Sequence, residues 1–387
     1  MNILCLEQFA GLGGGQLSLL SLLPGFASRG WRSVVVVPQQ GPLAERARTS
    51  GFEVTTLHCT PFANGRKSLA DMARFTLESP RLISVIARMI RSYGIDVVYV
   101  NAPRLLPAAA LAARIRSTPL VFHCHNRLVQ RSGIIAAGTA LRISRAHAIA
   151  CCRYAASPIR EYLAPQHLSV LYNGVERLAS NTCPARQSMR RIGVIGRIEP
   201  EKGQLEFVRA ARAVATRFPE CRFIIVGTPL FSNSHYFDEV AKLSRDLPVD
   251  FLGWRDDVPA ILSSLDLLVV PSSALDAAPR VIFEAFSARV PVLAFPSGGI
   301  PEIVTDEKTG FLTSVTTAHA LEERICSVIE MAPARVETVV KRAWMQWRQD
   351  YTVERYQEDV GNVLLDVVAT HRQKHRVLTS SLQRDDI

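Results

Sequence analysis

The chain has 387 residues, 48% of them hydrophobic and 21% charged, with a formal net charge of +10. That length and balance fit a globular protein of two domains and exclude a disordered or fibrous chain. The charge is uneven: residues 1–190 hold 22 basic against 8 acidic side chains, residues 191–387 hold 23 against 27.

Met1-Asn-Ile-Leu-Cys-Leu6 reads as a short first strand, since it has neither the basic start nor the cleavage region of a signal peptide. Residues 8–28 carry no charge, but five glycines, Pro24 and three serines point to a glycine-rich loop opening a buried helix rather than to a membrane span. Further apolar runs of strand length follow at 34–37, 97–100, 120–124, 148–152 and 169–172. Helical spacing lies between them, as at 17–29 and 80–93. A second series of strands begins at 192–195 and continues at 223–226, 249–252, 265–270 and 292–294. Such alternation means parallel sheets with crossover helices. The change of domain falls in the polar stretch 176–190. The expected organisation is a first domain over 1–178, a second over 190–350, and a final helix with a frayed polar tail over 351–387. Two doubly wound domains would meet at a cleft, and such sheets bind ligands beyond the carboxyl ends of their strands.

The eight cysteines include no C-x-x-C pair and several sit in apolar runs, as buried thiols of a reducing compartment do. A cytoplasmic protein is expected. The basic first half suits an anionic partner, either a phosphorylated substrate or a lipid surface. Aromatics are not interleaved with the arginines and no zinc-finger or RNA-binding signature occurs, so nucleic acid is not an expected partner.

Several loops place chemically useful residues at strand ends. In Gly11-Leu-Gly-Gly-Gly-Gln16 the glycines let backbone amides approach a phosphate at a helix start, or simply allow tight strand–helix packing. A nicotinamide-binding site would need an acidic residue at the end of the second strand, where the chain reads Val37-Pro-Gln-Gln40. Leu120-Val-Phe-His-Cys-His-Asn126 delivers His123 and His125 on one strand face; a metal site would need a third ligand that the sequence does not offer nearby. Gly196-Arg-Ile-Glu-Pro-Glu-Lys-Gly203 sets Arg197 and Lys202 in one loop ahead of a helix, a fork and a point charge suited to a diphosphate. Asp276-Ala-Ala-Pro-Arg-Val-Ile-Phe-Glu284 holds two carboxylates eight positions apart, able to accept hydrogen bonds from vicinal hydroxyls of one extended ligand. No Asp-x-Asp pair occurs.

In their order these motifs resemble the retaining glycosyltransferases of family 4. Gly13-Gly-Gly-Gln16 is similar to the family's Gly-Gly-Ala-Glu loop, His125-Asn126 to its His-Asp, and Tyr172-Asn-Gly-Val-Glu176 to the turn that closes its first domain. The Arg197…Lys202 loop resembles its phosphate loop, Phe251-Leu-Gly-Trp254 the segment bordering its base pocket, and Asp276…Glu284 its acidic Glu-x7-Glu pair. Gly298-Gly-Ile-Pro-Glu302…Thr309-Gly-Phe-Leu312 is likewise similar. The resemblance implies the α/β GT-B fold, two Rossmann-like domains with a C-terminal helix crossing back to the first. It implies a metal-independent hexosyltransferase that needs no cofactor and uses a nucleotide sugar as donor. The acceptor would be a glycan or lipid-linked molecule of cell-surface polysaccharide biosynthesis. By position, Arg197 and Lys202 would bind the diphosphate, Glu284 the ribose, Asp276 and His125 the transferred sugar, Gly13 and Gly14 the phosphates, and Gly253 would border the base. The chain departs from the pattern at Asp276, one methylene shorter than the usual Glu, and at Gln16, which stands for a Glu. Two other readings remain: a GT-B nucleotide-sugar 2-epimerase and a non-catalytic nucleotide-sugar-binding subunit. Arginine-rich segments at 81–91 and 142–153, expected to be helical, suggest docking on the inner face of an anionic membrane.

Overall fold

The structure, a computed structural model, describes residues 1–60, 69–178, 189–229, 234–273 and 276–382. It divides into two compact units, one of residues 1–172 with 353–387 and one of residues 173–352.

The first unit is built on seven strands: β1 (Asn2–Leu6), β2 (Arg32–Val37), β3 (Glu53–Thr56), β4 (Val97–Val100), β5 (Leu120–Cys124), β6 (His147–Ala150) and β7 (Leu168–Val170). Every pairing is parallel, in the order β3-β2-β1-β4-β5-β6-β7. The Val- and Ile-rich central strands are buried on both faces, as helix-covered parallel strands must be. Edge strand β3 went unread in the sequence because Glu53, Thr55 and Thr56 give it no apolar run.

The second unit has six parallel strands: β8 (Arg191–Ile195), β9 (Arg222–Val226), β10 (Val249–Gly253), β11 (Leu267–Val270), β12 (Val292–Ala294) and β13 (Phe311–Leu312). Their order is β10-β9-β8-β11-β12-β13. Both sheets reverse direction of winding once, between β1 and β4 and between β8 and β11. Crevices at such switch points are where doubly wound sheets take ligands.

The last helix, Val353–Leu382, belongs to the first unit. Its Tyr356, Val360, Leu364 and Val368 share one core with Leu19, Leu22, Leu23 and Phe26 of the first helix, Gly14–Ser28. The two helices approach so closely that a Cβ at Gly25 would lie 2.5 Å from Gln357 Cβ. Before this helix, Val175 bridges to Thr352 and its amide donates to Tyr351 O, so Asn173–Val175 joins the second unit.

Several sequence expectations are corrected. The helix expected from Pro80 starts at Leu69 and carries Pro80 inside it; Glu78 ties that extra length to Arg104 and Thr60. The strand expected over 148–152 stops at Ala150, because Cys152 caps a short helix by accepting from the Ala155 amide. The segment 142–153 is therefore a helix end, a strand and a helix start rather than one helix. The tail expected to fray from Arg372 stays helical to Leu382. His371 bonds Ser117 O and Arg372 bonds Asp96, which hold its beginning. Residues 383–387, Cys183 and most of the domain change expected at 176–190 lie outside the described residues.

Candidate active site

In the second unit, the loop after β8 and the loop after β11 meet beside the switch point. Gly203 takes a left-handed conformation (φ +70°), and a Cβ there would fall 2.0 Å from Pro271 O, so only glycine lets the loops approach this closely. The Ser273 amide donates to Glu201 O, and the Asp276 amide to Ser273 O. Lys202 Nζ reaches Asp276 Oδ2 at 2.6 Å, and Arg197 pairs with the buried Glu199 at 2.8 Å. Gln204, also buried, donates to Arg197 O at 2.7 Å and so fixes the backbone that carries the arginine.

Pro279 caps the helix Arg280–Ser287, whose fifth residue is Glu284. Arg280 pairs with Glu284 at 3.0 Å and donates to Gly174 O at 3.2 Å. Burial raises the Glu284 carboxyl above its ordinary value, against the pull of Arg280. Gly253, with φ +66°, ends β10 at a break in register and accepts from the Gly227 amide; Trp254 beside it is exposed. The structure thus gathers Arg197, Lys202 and Asp276 at the ends of the paired strands β8 and β11, with Glu284 on the helix that follows. Sequence reasoning missed Glu199 and Arg280, each a charge inside a motif that had been read for its other members.

In the first unit, Gly13 caps the first helix and its amide donates to Gln16 Oε1 at 3.1 Å, while Gly14 is exposed. His125 follows β5. Its Nε2 lies 2.8 Å from Asn101 Oδ1, and its ring stacks on His123 at 4.1 Å between centroids. His123 is fully buried and bonds Tyr99 Oη; desolvation holds its pKa well below the ordinary value, so it stays neutral. Asn101 Nδ2 donates to Glu7 Oε2 at 2.6 Å and to Gly15 O at 3.1 Å. Glu7 Oε1 accepts from the amides of Gln8 and Phe9. Glu7 and Asn101 directly follow β1 and β4, the two strands flanking the switch point, and both are buried. Neither was read from the sequence, although a polar residue ending a wholly apolar strand was the available signal.

Two family models match the chain: glycosyltransferase family 4 over residues 12–177 and glycosyl transferases group 1 over residues 189–331. The chain belongs to the family 4, group 1 glycosyltransferases. Over 164 residues it is 29% identical to an Escherichia coli UDP-Gal:alpha-D-GlcNAc-diphosphoundecaprenol alpha-1,3-galactosyltransferase, covering 39% of this chain and 42% of that enzyme. Against a GDP-mannose-dependent alpha-(1-6)-phosphatidylinositol monomannoside mannosyltransferase of Mycolicibacterium smegmatis, identity is 26% over 74% of this chain and 82% of that one. The chain therefore spans less than half of the first relative's length. Among solved structures, HepE of Anabaena in complex with UDP and glucose superposes with a TM-score of 0.79. Identity is 26%, covering 94% of this chain and 98% of HepE. The GT-B fold expected from the sequence is the fold of these relatives.

Proposed function

We propose that this family member transfers a hexosyl unit, with retention and without a metal, from a nucleotide sugar to a glycan or lipid-linked acceptor. The observation that carries the reading is the joined pair of loops holding Arg197, Lys202 and Asp276 at the carboxyl end of the second sheet. A departing nucleoside diphosphate gathers negative charge, and fixed cationic donors stabilise it. Arg197 offers a planar fork and Lys202 a mobile point charge. When a phosphate takes Lys202, the Asp276 carboxylate is released to accept from hydroxyls of the transferred sugar. Asp276 reaches Lys202 at 2.6 Å despite its shorter side chain, which favours a working site over a degenerate one. Glu284, steadied by Arg280, accepts from the ribose hydroxyls, and Gly253 borders the base. On the other unit, His125 contacts the transferred sugar and the amides of Gly13 and Gly14 approach the phosphates; Gly13 must then leave Gln16. HepE, solved with UDP and glucose, and the two curated relatives support the donor class and the acceptor class.

Incubation with a panel of nucleotide sugars, following nucleoside diphosphate release with and without EDTA, tests the proposal. Release with one donor, unchanged by EDTA, is expected. No release with any donor, alongside tight donor binding, would point to a non-catalytic subunit; loss with EDTA, restored by magnesium, would refute metal independence.

We further propose that the first unit docks on an anionic bilayer. The helices Leu69–Ser92, Leu106–Ile115 and Arg131–Ser144 pack in succession. They expose Arg81, Arg88, Arg91, Arg114 and Arg142 together with Leu77, Ile115 and Ile135, while Leu82, Ile86 and Ile90 are buried. Among the described residues no helix is long and apolar enough to cross a membrane. Flotation with anionic but not neutral vesicles is expected; equal flotation with both would exclude the docking.

A further inference from the structure

The network behind His125 has a direction. Asn101 Nδ2 faces two groups that can only accept, the Glu7 carboxylate at 2.6 Å and the Gly15 carbonyl at 3.1 Å. That fixes which end of the amide is which, without appeal to how an amide is drawn. Oδ1 therefore faces His125, and an amide oxygen can only accept, so the imidazole must carry its proton on Nε2. Glu7 in turn faces donors: its Oε1 accepts from the amides of Gln8 and Phe9 and its Oε2 from Asn101 Nδ2, with the Gln16 side chain beside it. Three donors converge on that carboxyl, which suits its ionised, acceptor-only form.

We propose that Glu7 is a positioning residue which, through Asn101, fixes the orientation and the tautomer of His125, with the Nε2 proton committed to Asn101 Oδ1 and Nδ1 kept as the unprotonated ring nitrogen. The proposal rests on the reading of His125 as a sugar contact, and it goes beyond that reading by naming the group that sets its chemistry. It also accounts for Gln16. Gln16 Oε1 holds the Gly13 amide, and the Gln16 side chain beside Glu7 favours the ionised carboxylate. The Glu of the family's loop would here set a second carboxylate against Glu7, and like charges in a buried site repel strongly. Glu7 thus ties two parts of the unit to one carboxylate, the glycine loop and the histidine. The backbone adds a steric stop: a Cβ at Gly15 would lie 3.2 Å from His125 Cδ2, so the loop touches the ring it helps to fix.

Replacing Glu7 by Gln puts an amide nitrogen where an acceptor is needed. Asn101 is then pulled two ways, because turning over suits the new amide nitrogen but loses the bond to the Gly15 carbonyl; wherever it turns, its Nδ2 faces His125, and the imidazole accepts at Nε2 and carries its proton on Nδ1. Burial raises the Glu7 carboxyl above its ordinary value, so acidifying the wild-type protein should approach the same state.

The test is nitrogen NMR of the full chain labelled on histidine, with His125 assigned by His125→Ala, together with steady-state transfer kinetics. Wild type is expected to show the Nε2–H form. Glu7→Gln should move His125 to the Nδ1–H form or a mixture, lowering kcat tenfold or more with donor KM changed less than threefold. Asn101→Ala, which leaves Glu7 its backbone donors, should give a mixture of tautomers and serves if Glu7→Gln does not fold. An unchanged tautomer in a folded Glu7→Gln or Asn101→Ala protein overturns the proposal, whatever the kinetics. If His125→Ala keeps wild-type transfer, the sugar-contact reading fails, and with it the catalytic half of the proposal. The tautomer signal then still decides the hydrogen-bond half.

Discussion

The two units end their sheets in opposite ways. At β8 and β11 the polar groups are ions in pairs, part-exposed except for the buried Glu199: Arg197 with Glu199, Lys202 with Asp276, Arg280 with Glu284. At β1 and β4 they are a buried carboxylate, an amide and an imidazole joined by short directional bonds. An ion pair with some solvent access costs little to open, so Lys202 can exchange Asp276 for a phosphate, while the part-exposed Arg197 can turn another edge of its fork to one without leaving Glu199. A buried, matched network does not exchange cheaply, because any donor left over costs its full desolvation. One end is arranged to change partners and the other to hold a geometry.

The largest effects should come from removing the two cations. Arg197→Ala and Lys202→Ala should each cost about 2–4 kcal/mol of transition-state stabilisation, roughly a hundredfold in kcat, with the thermal midpoint little changed. Wild-type turnover in either would break the comparison at its strongest point. Next come the carboxylates. Asp276→Asn should impair transfer much more than binding of the bare nucleoside diphosphate, whereas Glu284→Gln should weaken nucleoside diphosphate binding as well. Each loss should be about 1.5–3 kcal/mol, resolvable by titration calorimetry. If Asp276→Asn kept full transfer, Asp276 would be only a resting partner for Lys202.

A packing change in the first unit should be milder. Gly25→Ala drives a methyl into Gln357 of the last helix and should lower stability by about 1–3 kcal/mol, read as a fall in thermal midpoint, without altering nucleotide affinity. The smallest effect concerns pH. Burial lowers His147 to about 4 and holds His123 lower than its ordinary value too. Unfolded histidines take up protons below about 6.5 while these folded ones refuse them, so stability falls as pH drops from about 6.5 towards 4. Glu7, raised by burial, offsets part of this as it protonates. His235 and His319 of the second unit are exposed. Hydrogen exchange should therefore show the first unit loosening first on acidification, and His147→Gln should flatten its slope in that window.

Much of this was legible in the sequence where one physical signal dominated. β4, β5 and β12 have the bounds that their apolar runs imply, and the Arg197…Lys202 and Asp276…Glu284 motifs lie at strand ends as their spacing requires. What escaped was relational. Glu7 and Asn101 are 94 positions apart, and only the register of β1 with β4 brings their side chains together. Glu199 was read past because its neighbours carried the family pattern. The helix Leu69–Ser92 was cut short because Pro80 is a breaker on local grounds, while the Glu78–Arg104 pair that supports the upstream turns depends on a residue 26 positions away.

The return of the last helix has a consequence for synthesis. A ribosome delivers residues 173–352 complete before it delivers the segment that covers Leu19, Leu22, Leu23 and Phe26. Domains generally fold as units during translation. The second unit can therefore mature as a closed body while the first waits with an open apolar seam along its oldest helix. In order of birth the first unit is the older; in order of completion it comes last.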